Sequence, residues 1–208
     1  MSRLLLVRHG ETELKSSVRL WGRTDVELGA VGFRQAEKLR DRLAEEKIDV
    51  IYSSNLKRAL ITAETIASRH QLEVIPCDEL REIDFGDTEG LTYEEVNQLY
   101  PEFIELRRKR GTSVKFPGGE SLDDLSQRVS KFVNNRLDQH TDEETLLIVA
   151  HTGVTRILIC QLLGLETRYM RHFRLDLASL SIVETHQQGA IISLLNDTSH
   201  LRGDELVP

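Results

Sequence analysis

The sequence predicts an α/β fold, a three-layer sandwich with a mostly parallel central sheet and helices on both faces. Three observations carry that expectation. Leu4 to Val7 is a continuous apolar run, as a strand buried on both faces requires, and Thr145 to Ala150 is a second strongly apolar run. Segments between them place apolar residues at three- and four-residue steps, the period of an amphipathic helix. Strand and helix patterns alternate along the chain, and right-handed crossovers turn that order into parallel pairing.

The first strand ends in Arg8-His9-Gly10. From Gly32, the residues Phe33, Ala36, Leu39, Leu43 and Ala44 mark a helical face. Ile48 to Tyr52 is rich in β-branched residues and reads as the second strand. Ser53-Ser54-Asn55 then offers capping side chains for a helix from Leu56 to Arg69, and Leu72 to Ile75 makes a third strand closed by Pro76. Leu91 to Tyr100 is helical in pattern, interrupted by Pro101, and Phe116 to Gly119 is a loop. Residues 86–120 therefore look like a lid-like insertion in a single domain spanning 1–208. A helix follows from Ser121 to Leu137, and another from His151 to Leu163. Leu177 to Val183 and Ala190 to Leu195 are a last pair of strands, joined through Gln187-Gln188-Gly189.

Composition excludes several classes. With 39% hydrophobic and 29% charged residues, the chain has the balance of a globular protein. A net charge of -7 gives no overall cationic field for nucleic acid or an anionic membrane, so neither is an expected partner. The apolar stretch from Leu146 to Leu165 is broken by His151, Arg156 and Gln161, which argues against a membrane span. The N-terminal apolar run is too short for a signal peptide, and two cysteines make no disulfide scaffold. A cytoplasmic location is expected; the oligomeric state is not encoded in these patterns.

In an open parallel sheet, ligands bind beyond the carboxyl ends of the strands. Those ends deliver Arg8 and His9, then Arg58 early in the following helix, and His151. Guanidinium groups suit phosphoryl oxygens because each donates two parallel hydrogen bonds. A neutral imidazole can attack phosphorus and divide one displacement into two. Gly10 lets the backbone turn tightly after His9. The helices starting near Leu56 and Gly153 add positive N-terminal ends. The leaving oxygen needs a proton, and Glu82 lies among Leu80, Ile83 and Phe85, whose apolar surroundings favour the uncharged acid.

These residues fall in five ordered blocks: Leu6-Val7-Arg8-His9-Gly10-Glu11-Thr12, Ser53 to Ala59 with Thr62-Ala63, Leu80-Arg81-Glu82 with Phe85-Gly86 and Glu89-Gly90, Pro117 to Ser121, and Val149 to Gly153 with Arg156. Together the blocks resemble the histidine phosphatase superfamily, which has the phosphoglycerate mutase-like fold. The resemblance implies a metal-independent phosphomonoesterase that hydrolyses a small phosphorylated metabolite through a phosphohistidine at His9. It implies Glu82 as general acid and then base, and a phosphate pocket of Arg8, Arg58, His151 and Thr152. No cofactor is implied. The sequence departs from the family pattern at Glu13-Leu14-Lys15, where Glu-Trp-Asn is more usual; Lys15 stands in the position of an Asn that commonly touches phosphate.

Two other functions compete. A phosphoglycerate mutase-type enzyme would keep the phosphoryl group on His9, but the chain is short for that branch, and Arg81 to Gly86 looks more like phosphatases such as the α-ribazole phosphatase group. A non-catalytic phosphate-binding module would often have lost His9 or Glu82, and both are present. The histidines show neither His-x-His nor His-Glu-x-x-His spacing, so a metal-dependent hydrolase ranks last. Arg107 to Arg110 is expected to be a solvated helix face, and Gly118-Gly119 a turn. The natural substrate is not written in these motifs.

Overall fold

The computed structural model describes residues 2–14, 18–141 and 143–203. Six strands form one sheet: β1 (Arg3–Arg8), β2 (Val50–Ser54), β3 (Val74–Cys77), β4 (Thr145–Ala150), β5 (Leu180–His186) and β6 (Gly189–Asp197). Their order is β3-β2-β4-β1-β5-β6. The first four are parallel, whereas β5 runs antiparallel to β1 and β6 antiparallel to β5. The sheet is thus mixed but mostly parallel, and its four-strand parallel core places the ends of β1, β2 and β4 side by side.

Strand side chains alternate between two cores, as the two-residue period of a strand demands. Leu4, Leu6, Leu146 and Ile148 face one side and pack on Val129 and Phe132 of α5 (Leu122–Arg136) and Ile157 and Leu158 of α6 (Thr152–Leu162). Leu5, Val7, Leu147 and Val149 face the other and meet Leu39 and Leu43 of α1 (Ala30–Leu43) and Ala59, Ala63 and Ile66 of α2 (Lys57–Ala67). Every residue of β4 is buried, which is why its sequence shows no polar alternation. Truncating one of its leucines to alanine costs about 2–5 kcal/mol.

Four local expectations shift. Ser53 and Ser54 belong to β2, and α2 has Leu56 at its N-cap with no side-chain cap of its own; the carboxylate of Asp25 accepts the Lys57 amide instead, at 2.8 Å. Pro76 lies inside β3 and does not close it, a placement open to proline because β3 is an edge strand. Pro101 starts a helix, α4 (Pro101–Arg110), directly after α3 (Tyr93–Leu99), since a missing N–H costs nothing at the first helical position. The strand expected from Leu177 starts at Leu180, because Ala178 turns with φ 52° and the Ser179 amide closes onto the Asp176 carbonyl.

The helix expected from Ser121 forms as α5, with Ser121 just outside it as the N-cap in a reciprocal box with Asp124. Arg107 departs from a solvated face, since its guanidinium lies 4.4 Å from the centroid of the Phe116 ring. The apolar stretch around 146–165 is β4 followed by α6, and no helix among the described residues is long and apolar enough to cross a membrane.

Candidate active site

A cavity of about 350 Å³ opens at the carboxyl ends of β1, β2 and β4. Arg8, His9, Arg58, Glu82, His151 and Thr152 all line it. Six of the seven residues anticipated from sequence therefore meet in one place; Lys15 lies outside the described residues.

His9 continues the line of β1, held by its amide on the Ala150 carbonyl and its carbonyl under the Ala178 amide, each at 3.1 Å. Its Nδ1 lies 2.7 Å from the Gly10 carbonyl, an acceptor only, so Nδ1 carries the proton and Nε2 the free lone pair. Burial, reinforced by the charges of Arg58 and Arg8, holds its pKa well below the ordinary imidazole range. The ring is kept neutral. Gly10 is required by a close approach and not by a tight turn: a Cβ there would sit 2.6 Å from the Gly32 carbonyl oxygen.

His151, the N-cap of α6, holds its ring centroid 5.0 Å from that of His9, with the two planes tilted by 59°. Its Nε2 is 2.8 Å from the Ser54 hydroxyl, which also accepts the Leu56 amide at 3.3 Å. Burial, then the charge of Arg58, keeps this imidazole neutral as well. With the Ser54 hydroxyl donating to Nε2, the proton resides on Nδ1, a buried atom with no partner among the described residues. Ser54, expected as a cap, thus serves the neighbouring strand end, whereas the Ser53 hydroxyl donates to the Ser54 carbonyl at 2.9 Å.

Arg8 donates from Nη1 to the Leu175 carbonyl at 2.7 Å, while its buried Nε has no partner. Desolvation pushes this guanidinium down to about 10 against the pull of Glu82, so it remains charged at neutral pH. Arg58 is buried in the first turn of α2 and donates to the carbonyls of Gly22 and Thr24, at 2.6 and 2.8 Å. Those carbonyls belong to a loop organised by Glu89, whose carboxylate accepts the amides of Gly22, Arg23, Thr24 and Phe85 and the Thr24 hydroxyl.

Glu82 is buried, with one oxygen accepting the Ile83 amide at 2.9 Å and the other the Gly153 amide at 3.0 Å. Gly153 makes room for it, since a Cβ there would lie 2.4 Å from the carboxyl. Two of the helix-end amides expected to greet phosphate are consequently engaged by protein carboxylates: Gly153 by Glu82 and Lys57 by Asp25. Arg156 does not line the cavity and donates to the Phe173 carbonyl at 2.6 Å. Gly119 is more than a turn, because a Cβ would sit 2.3 Å from the Asp84 carbonyl oxygen, zipping that loop against the Glu82 segment.

Sequence reasoning missed the outer wall: Glu11, Thr12, Leu14, Arg19, Trp21, Val26 and Leu177. Most of it comes from the long connection between β1 and α1. The length of that connection was the available signal, since structureless loops beyond about 12–15 residues are uncommon and usually functional.

The family model of the histidine phosphatase superfamily (branch 1) matches residues 4–198. Phosphoserine phosphatase 1 of Hydrogenobacter thermophilus is 39% identical over 201 residues, spanning 97% of this chain and 95% of that protein. The solved alpha-ribazole phosphatase of Shigella flexneri superposes with a TM-score of 0.86 at 33% identity, covering 94% of this chain and 96% of the other. A phosphoserine phosphatase of Entamoeba histolytica, solved with 3-phosphoglyceric acid, gives a TM-score of 0.82 at 31% identity over 97% of this chain and all of that one (100%).

Proposed function

The chain belongs to the histidine phosphatase superfamily, branch 1, and is a phosphomonoesterase of small phosphorylated metabolites; from that premise we propose that hydrolysis runs through a phosphohistidine at His9. One observation carries the proposal. A neutral imidazole with its Nε2 lone pair free shares its cavity with two donors, Arg8 Nε and His151 Nδ1, that no described residue satisfies. A phosphoryl group supplies oxygens for both.

In the first step, His9 Nε2 forms a bond to phosphorus while the bond to the leaving oxygen breaks, and Glu82 delivers its proton to that oxygen. Charge on the transferring group is met by Arg8 and Arg58, with His151 Nδ1 and Thr152 beside it. In the second step, the Glu82 carboxylate takes a proton from water as the water oxygen bonds to phosphorus. The phosphorus–nitrogen bond breaks, and inorganic phosphate leaves. Among the described residues, no group of three or more His, Cys, Asp or Glu could hold a metal ion.

The alcohol half of the substrate rests on the outer wall, where Arg19 stands among Leu14, Trp21, Val26 and Leu177. Residues 86–120 act as its lid: Arg19 donates to the Gly90 carbonyl and pairs with Glu95, tying that segment to the cavity. A cytoplasmic setting is consistent with Cys77 and Cys160, both free and buried.

The test is a rapid quench with labelled substrate. Wild type traps an acid-labile, base-stable phosphoryl label, and His9→Ala traps none; equal trapping would refute the proposal. Hydrolysis continues in excess EDTA, and loss that zinc or magnesium restores would contradict a metal-free route. A phosphate-release screen over phosphoserine, 3-phosphoglycerate and α-ribazole phosphate, read as kcat/KM, identifies the alcohol.

A further inference from the structure

Arg128 lies on α5, does not line the cavity, and is largely buried. Its guanidinium binds Glu120 through both ends, Nε to Oε1 at 3.0 Å and Nη2 to Oε2 at 2.9 Å. The remaining N–H groups go to main-chain carbonyls: Asp78 at 3.4 Å, Glu79 at 2.8 Å and Arg81 at 2.7 Å from Nη1, and Glu82 itself at 3.3 Å from Nη2. Glu120 in turn accepts the Asp84 amide at 3.0 Å and Arg23 Nη2 at 3.0 Å. The backbone on both sides of Glu82 is therefore fixed by one ion pair, Arg128 before it and Glu120 after it.

That segment has no regular secondary structure of its own. Residues 81–85 lie between two short 3-10 turns and make no strand or helix. Carbonyls of Glu79, Arg81 and Glu82 converge on one point only when the chain curls around a group with several coplanar donors. A guanidinium has five N–H donors in a fixed plane; an ammonium is a point donor and cannot span the same set.

We propose that Arg128, braced by Glu120, is a positioning residue that aims the Glu82 carboxyl at the leaving oxygen. The proposal rests on the reading of Glu82 as general acid. Misplacing a catalytic group by about 1 Å can cost on the order of 10²-fold.

The experiment measures the phosphorylation burst with an alkyl phosphate and with p-nitrophenyl phosphate for Arg128→Met, Arg128→Lys and Glu120→Gln, alone and combined with Glu82→Gln. Nitrophenolate departs without a proton, so only the alkyl ester reports on the acid. Arg128→Met slows the alkyl burst by about 10- to 100-fold, with a much smaller loss for the aryl ester. Arg128→Lys falls between wild type and Arg128→Met. Glu120→Gln, which keeps the volume, reproduces the split at about three- to tenfold and stands in should Arg128→Met fail to fold. Added to Glu82→Gln, Arg128→Met removes less than about threefold more, because the two act on one proton. Equal slowing of both esters, or losses that multiply in the double variant, would mean a merely structural Arg128. If Glu82→Gln itself shows no alkyl–aryl split, the general-acid reading falls and takes this inference with it; a split in Glu82→Gln but none in the Arg128 and Glu120 variants defeats this inference alone.

Discussion

Two neighbouring clusters of charge use the same residue types in opposite ways. In the cavity, Arg8 and His151 each hold a buried N–H that no described residue accepts. Behind it, Glu89 takes five donors, and the guanidinium of Arg128 is shared among Glu120 and four carbonyls. An unsatisfied buried donor destabilises the fold by about 1–3 kcal/mol. In the proposed reading the cavity carries that cost for a ligand, whereas the cluster behind it has its partners built in. The contrast separates groups left open toward the cavity from groups that hold the surrounding backbone in place, and substitutions can break it.

The largest effect is expected on the cavity side. Arg8→Met lowers kcat/KM by about 10²- to 10³-fold, the scale for removing one donor to a transition-state anion. Its urea midpoint stays at or above that of wild type, since a poorly paired buried charge is removed. A clear loss of stability with activity retained would erase the distinction. Glu89→Gln is the converse case, costing about 1–3 kcal/mol in urea denaturation because an amide nitrogen then faces backbone donors. Activity follows only as far as the Gly22 and Thr24 carbonyls release Arg58.

Acid sharpens the same contrast. His9 is held neutral by burial first and by Arg58 and Arg8 next, so the acid limb of kcat/KM lies below 6.5, and Arg58→Met moves it upward. The sign for stability follows from the same depression. Below the unfolded value of 6.5, the unfolded chain binds protons that native His9 and His151 refuse, so stability is flat above this range and falls as the pH drops through it. A pH series of urea midpoints checks this. The smallest effect is expected for Ser54→Ala, which frees the His151 tautomer and lowers kcat/KM by about tenfold or less.

Much of this arrangement was legible in the sequence because it depends on local order along the chain. The runs at 4–7 and 145–150 are apolar because β1 and β4 are buried on both faces, and a residue that follows such a strand must emerge at the ligand-binding edge. Arg8, His9 and His151 were found that way. What escaped depends on contacts distant in sequence. Nothing near residue 57 announces that Asp25 will cap α2, or that Ser54 will abandon a cap to serve His151. Asn55 likewise turns its amide to Asp78. The outer wall escaped for another reason: Arg19 and Trp21 sit in a loop with no periodicity, and their neighbours, Glu95 and Gly90, come from about 70 positions later.

Pro76 in the edge strand β3 has a consequence for behaviour at high concentration. Exposed strand edges invite chains to add to one another, and a proline offers no N–H to an incoming strand. That border of the sheet is blunted. The opposite border, β6, is nine residues long, has no proline, exposes Ile191 and Leu195, and pairs only with β5 among the described residues. Any drift of this protein toward fibrils or edge-to-edge association would start on β6, where a lysine in place of Leu195 is the natural remedy.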